Sequence, residues 1–137
     1  MSDMNSRSIG IELDNDGQTP FSAPLMDAMC DLLTTIMGRW DIEPDCVIGH
    51  SDMAPGRKVD PGPRFDWQRL ARSGQAAPHG TNPVDTPTEQ DLVSAARKSG
   101  YTANVTPDVL LQSIRLRHRP WAKGPLSALD ITCLPTT

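Results

Sequence analysis

Two metal donors stand close together in the stretch Val47–Trp67, VIGHSDMAPGRKVDPGPRFDW. His50 offers a ring nitrogen and Asp60 a carboxylate oxygen, both good zinc ligands. Lys58 lies beside Asp60 with one residue between, a cation where charge could develop. Pro61-Gly62-Pro63 follows and stiffens the loop, because proline fixes φ and glycine accepts φ > 0. A loop so constrained can aim all three side chains at one point. A fourth candidate lies far upstream. Glu12 has only Gly10 and Ser8 beside it on its face of the segment SIGIEL, which leaves room for a group to approach the carboxylate.

These residues need elements to hold them. Ser8–Leu13 alternates, with Ile9, Ile11 and Leu13 on one side and Ser8, Gly10 and Glu12 on the other, and predicts a strand. The apolar run Cys46-Val47-Ile48 predicts a second, buried strand ending at Gly49 with His50 at its lip. Between them, Ser22 is an N-cap and Pro24 sits in the first turn of a helix predicted over Ala23–Arg39. Its core stripe is Leu25, Met29, Leu32, Ile36 and Trp40, widened by Met26, Leu33 and Met37. Arg64–Ala71 predicts a short helix carrying Phe65, Trp67 and Leu70; Trp67 suits core packing, with substrate stacking as the alternative.

The motif GHSDMAPGRKVDPGPRFDW, together with Asn5 and the segment SIGIE, resembles the zinc-site region of the amidase type 2 family, the N-acetylmuramoyl-L-alanine amidases, related in fold to peptidoglycan recognition proteins. The resemblance spans positions 5–72 and implies an α/β architecture: the later part of a mixed sheet with packed helices. It implies His50 and Asp60 as zinc ligands, Lys58 as the oxyanion stabiliser and Glu12 as the acid/base group. The implied reaction is cleavage of the amide between N-acetylmuramic acid and L-alanine of the stem peptide in bacterial peptidoglycan. The family uses two histidines and one aspartate, and its first histidine falls before the segment carried here. The expectation is therefore weak zinc binding and slow or absent hydrolysis. The other reading is a non-catalytic cell-wall binding or remnant protein. An incomplete sheet would also leave an open edge and invite self-association.

Ser73–Pro87 is rich in Pro, Gly, Ser, Thr and Asn and predicts a linker, with His79 inside it. It divides the chain into residues 1–72, the connector 73–87 and residues 88–137. Beyond it three short helices are predicted. One opens at the box Thr86-Pro87-Thr88-Glu89 and turns Leu92, Val93 and Ala96 inward. The next opens at Thr106-Pro107-Asp108 with Val109, Leu110, Ile114 and Leu116. The last begins near Pro125 with Leu126, Leu129, Ile131 and Leu134. This three-helix tail resembles peptidoglycan-binding modules. Arg115, Arg117, His118 and Arg119 form a basic cluster, read either as a contact for acidic wall polymer or as a solvated face.

Composition sets the outer bounds. A chain of 137 residues with 4% aromatic content has material for one modest domain or two small ones. A net charge of −4 carries no nucleic-acid footprint. No apolar run approaches a membrane span. The start MSDMNSRSIG lacks the apolar core of a signal peptide, so the chain as written is expected in the cytoplasm, while the resemblance allows a periplasmic parent. Cys30, Cys46 and Cys133 show no framework spacing and read as small buried residues.

Overall fold

The computed structural model describes residues 7–136. Six α-helices follow in order: α1 Ala23–Trp40, α2 His50–Met53, α3 Trp67–Arg72, α4 Glu89–Lys98, α5 Pro107–His118 and α6 Ala128–Thr132. A 3₁₀ turn, Pro44–Cys46, precedes α2. Among the described residues there is no strand and no sheet, which corrects the α/β expectation and with it the sheet-containing fold that the family resemblance implied. Asn5, part of the motif that carried the resemblance, lies outside the described residues.

The reason lies in hydrogen bonding. A strand persists only where a neighbour takes its N–H and C=O groups. Neither Ser8–Leu13 nor Cys46–Ile48 forms a ladder with the other. The Cys46 N–H bonds back to Glu43 O at 2.9 Å and the Val47 N–H to Pro44 O at 3.2 Å, so a local turn wins at the second segment. At the first, the alternation survives only as burial: Ile11 and Leu13 pack partly on the core while Glu12 is exposed and Ile9 is 50% exposed. With no sheet among the described residues there is no sheet edge among them, and the self-association expected through one loses its basis. Cys46, expected inside a strand, is exposed.

Helix α1 begins where its cap is written: Ser22 Oγ accepts from Leu25 N–H at 3.4 Å. Its buried face, however, is Met26, Met29 and Leu33. Leu32 and Trp40, read as core, are 46% and 61% exposed. The helix is rotated toward a first core made of Met26, Met29, Leu33, Phe65, Trp67, Leu70 and Ala76. Edge-to-face contacts of Phe65 with Phe21 at 5.2 Å and with Trp67 at 4.8 Å bind the loop before α3 into it.

The second core is Leu92, Ala96, Tyr101, Leu110, Leu111, Ile114, Ile131, Cys133 and Leu134, from α4, α5 and α6. Helix α4 opens two residues later than its sequence box suggested. Thr88, not Thr86, is the N-cap, accepting from Asp91 N–H at 3.1 Å while Asp91 Oδ2 accepts from Thr88 N–H at 2.9 Å. Thr106 caps α5 with Pro107 in its first turn. Helix α6 is only five residues long and leaves Leu129, expected inside, 58% exposed.

The connector is tied to both cores. Gln75 Nε2 donates to Cys30 O and to Thr34 Oγ1, each at 2.8 Å. The Gly80 N–H donates to Cys133 O at 3.1 Å, and a Cβ there would stand 1.9 Å from Leu134 O, so only glycine lets the two segments pass this closely. No helix among the described residues is long and apolar enough to cross a membrane.

Candidate functional site

The His50 loop is built around Gly49. This residue is buried, and a Cβ on it would meet Pro61 Cδ at 2.6 Å, so the returning loop lies directly on the backbone that starts α2. The Ser51 N–H then donates to Asp60 O at 3.0 Å. These two contacts bring His50 Nδ1 to 2.5 Å from Asp60 Oδ2. Both side chains remain about half exposed, 52% and 57%. The structure therefore brings together the two residues that the sequence marks as metal donors. Among the described residues neither the Glu12 carboxylate nor the Lys58 ammonium makes a hydrogen bond or ion pair with them, and both are exposed.

The donors suit zinc in kind but not in number. A catalytic zinc takes three protein ligands and keeps one position open. Among the described residues no group of three His, Cys, Asp or Glu side chains converges. His79 does not supply the third. Its ring lies edge-on to that of His118 at 5.0 Å. The described residues do not fit a resident zinc ion.

Behind the loop stands a buried polar cluster that sequence reasoning missed. Asp52 Oδ2 accepts from the Gly49 N–H at 3.0 Å and from Arg117 Nη1 at 2.8 Å, and Asp52 Oδ1 accepts from Tyr101 Oη at 2.7 Å. The Asp52 and Arg117 side chains are each 7% exposed. The Arg117 guanidinium also lies 4.0 Å over the Trp67 ring, which places that ring in packing rather than on an open stacking face. Burial, and then the charge of Asp52, push the Tyr101 hydroxyl well above its ordinary pKa, so it stays a donor. Ser113 Oγ donates to Ser51 O. Helix α5 thus grips both sides of α2, and through α2 the backbone that presents His50.

The basic cluster at the end of α5 is not a solvated face. Arg115 and Arg119 converge on Asp130, at 2.7 and 2.5 Å, and Asp130 is fully buried. Burial works against ionising Asp130, but the bonds from Arg115, Ser127 and Arg119 outweigh it and hold its carboxyl below the usual range. His118 is 2% exposed. The one sequence signal for this arrangement was the spacing of the arginines near the end of a helix, and that spacing reads equally well as a solvated surface.

The N-terminal part of the chain, residues 2–63, matches the family model described as N-acetylmuramoyl-L-alanine amidase. Similar proteins include the N-acetylmuramoyl-L-alanine amidase AmiD of Escherichia coli K12, 36% identical over 77% of this chain and 45% of the relative. The 1,6-anhydro-N-acetylmuramyl-L-alanine amidase AmpD of Enterobacter cloacae is 45% identical over 48% of this chain and 35% of the relative. Among solved structures, E. coli AmiD in complex with the substrate anhydro-N-acetylmuramic acid-L-Ala-D-gamma-Glu-L-Lys aligns with a TM-score of 0.71 at 27% identity, covering 84% of this chain and 51% of that one. AmpDh3 of Pseudomonas aeruginosa in complex with anhydromuramic pentapeptide aligns at 0.74 and 29% identity, covering 85% and 52%. The chain spans about half the length of the relatives it matches over most of its own length. These similarities relate it to the peptidoglycan amidases.

Proposed function

We propose that this chain is a non-catalytic peptidoglycan-binding protein related to the muramoyl amidases. One observation carries the reading: the His50–Asp60 pair survives with the loop that presents it, while no third donor joins it among the described residues. A zinc held by two side chains would be bound weakly, since even partners one shell out are worth roughly ten- to a hundredfold in affinity. The loop bearing His50, Lys58 and Asp60 is exposed and stiff, and Glu12 is exposed too; these four are proposed as muropeptide contacts rather than as working catalytic groups. The relatives crystallised with anhydromuramyl peptides support that ligand class.

The test is co-sedimentation of the full chain with purified sacculi, with and without added zinc, while soluble stem peptide is followed by mass spectrometry. Retention of the chain without peptide release is expected. Loss of retention would sink the binding reading. Peptide release that needs zinc and disappears in His50→Ala would replace it with a hydrolase.

A further inference from the structure

Helix α2 is four residues long and is closed by two full-turn bonds, Met53 N–H to Gly49 O at 3.4 Å and Ala54 N–H to His50 O at 2.8 Å. One turn of helix is unfavourable by itself, because several residues are fixed for each bond gained. Something outside α2 must hold it, and with it the direction in which His50 is presented.

That support comes from one line of α5. Val109, Ser113 and Arg117 recur every fourth residue, which stacks them along one side of the helix. Each meets a different part of the His50 stretch. Arg117 Nη1 donates to Asp52 Oδ2 at 2.8 Å and to Val47 O at 3.4 Å, one contact on each side of Gly49. Ser113 Oγ donates to Ser51 O. Val109 lies against Gly56, where a Cβ would stand 2.8 Å from Val109 Cγ1. Tyr101, from the segment between α4 and α5, adds its donation to Asp52 Oδ1 at 2.7 Å. Asp52 is the joint of this arrangement. Its Oδ2 also accepts from the Gly49 N–H at 3.0 Å, so the carboxylate that caps α2 is the one that α5 holds. Turning it aside would uncap α2, loosen the Ser51 N–H from Asp60 O and part His50 from Asp60. A carboxylate only accepts hydrogen bonds, so the contact with Asp60 Oδ2 puts the His50 ring proton on Nδ1 and leaves Nε2 an acceptor.

We infer that Arg117 and Tyr101 are positioning residues for the His50 loop: through Asp52 they set the His50–Asp60 pair, and the helical second half is part of that site rather than a module of its own. The inference takes only its ligand from the peptidoglycan-binding reading, because the ring proton of His50 can be followed with no ligand present. The experiment is NMR on the full chain carrying isotope-labelled histidine, at about pH 8, where an ordinary histidine is neutral. The ring-nitrogen shifts of His50, identified by their loss in His50→Gln, give the ratio of the Nδ1–H to the Nε2–H form. Asp60→Ala gives the ratio for an unpartnered ring. In Arg117→Gln and Tyr101→Phe the ratio is expected to fall toward that value, by about fivefold for one lost hydrogen bond. Arg117→Lys, which keeps the charge, is expected to lower it less. Ile131→Ala opens a cavity in the second core on α6 and is expected to lower the thermal midpoint while leaving the ratio at the parent value. Tyr101→Phe keeps its ring in the core, so it decides the matter even if Arg117→Gln does not fold. An unchanged ratio in Tyr101→Phe with the parent's circular dichroism, or an equal fall in Ile131→Ala, overturns the positioning role. A fall confined to the Asp52 partners, in a chain that sacculi do not retain, leaves that role standing and removes the wall-binding reading instead.

Discussion

The first half of the molecule leaves four of its chemically suggestive groups, Glu12, His50, Lys58 and Asp60, in water, and the second half buries groups that look like surface. His50 and Asp60 are about half exposed, and Glu12 and Lys58 are exposed. Asp130 is fully buried between Arg115 and Arg119, and His118 is 2% exposed. The contrast separates two uses of charge. Charges in the second half fix how its helices meet, because a buried charge must be paired to be tolerated. In the first half Asp52 shares that duty through Arg117, whereas Glu12, His50, Lys58 and Asp60 stay exposed and leave their loop free to act as a contact surface.

The largest effect comes from breaking the buried triad. Asp130→Ala strands two guanidinium groups and also removes the acceptor for the Ser127 N–H at the start of α6. Loss of one partner from a buried pair costs about 3–5 kcal/mol. Urea denaturation should therefore show a strongly lowered midpoint. A variant within 1 kcal/mol of the parent, on the same order as an exposed pair, would erase the contrast.

Acid should act through His118 next. Its folded-state pKa, about 3, lies below the ordinary 6.5. As pH falls below 6.5 the unfolded chain takes a proton that the folded chain refuses, so stability is full above 6.5 and is lost progressively toward about 3. A loss of about 2–3 kcal/mol between pH 7 and about pH 4 is expected, at 1.36 kcal/mol per unit with some relaxation. Asp130, also depressed, adds its loss only below the carboxylate range. His118→Gln should flatten the upper part of the profile, measured as the urea midpoint against pH; an unchanged slope would remove His118 as its source.

Gly80→Ala comes third. Its Cβ would stand 1.9 Å from Leu134 O, against backbone that cannot swing aside. Overpacking of this kind costs about 1–3 kcal/mol, to be read as a drop in thermal midpoint. The same substitution at Gly10, where nothing lies within 4 Å, serves as the control. The smallest effect is expected at the site itself. His50→Ala removes a half-exposed partner and should change stability by less than about 1 kcal/mol. A larger drop would mean that the pair holds the fold rather than a ligand.

How legible the molecule was depended on whether a local signal decides the outcome. Helix starts at Ser22 and Thr106 are local, because side chain and receiving N–H lie within one turn, and both were readable. The box read at Thr86 was two residues early, because the Asp91 carboxylate completes the cap at Thr88 instead. Ser8–Leu13 has the period of a strand, but a strand is a pairing between distant segments, and alternation cannot supply the partner. The His50–Asp60 juxtaposition was legible because a stiff loop joins them. Arg117 with Asp52, and His79 with His118, were not: these pairs arise from packing between parts of the chain far apart in sequence, and an arginine-rich helix end or a histidine in a Pro-rich stretch looks the same whether buried or solvated.

The central claim, binding without catalysis, meets its most direct test in a calorimetric titration of an anhydromuramyl tripeptide into the full chain with zinc present, the ligand being recovered and its mass measured. A saturable isotherm with the ligand recovered intact, and with the chain taking up no stoichiometric zinc, is the expected result. Recovered ligand split into sugar and peptide, with that cleavage abolished in His50→Ala, would contradict it.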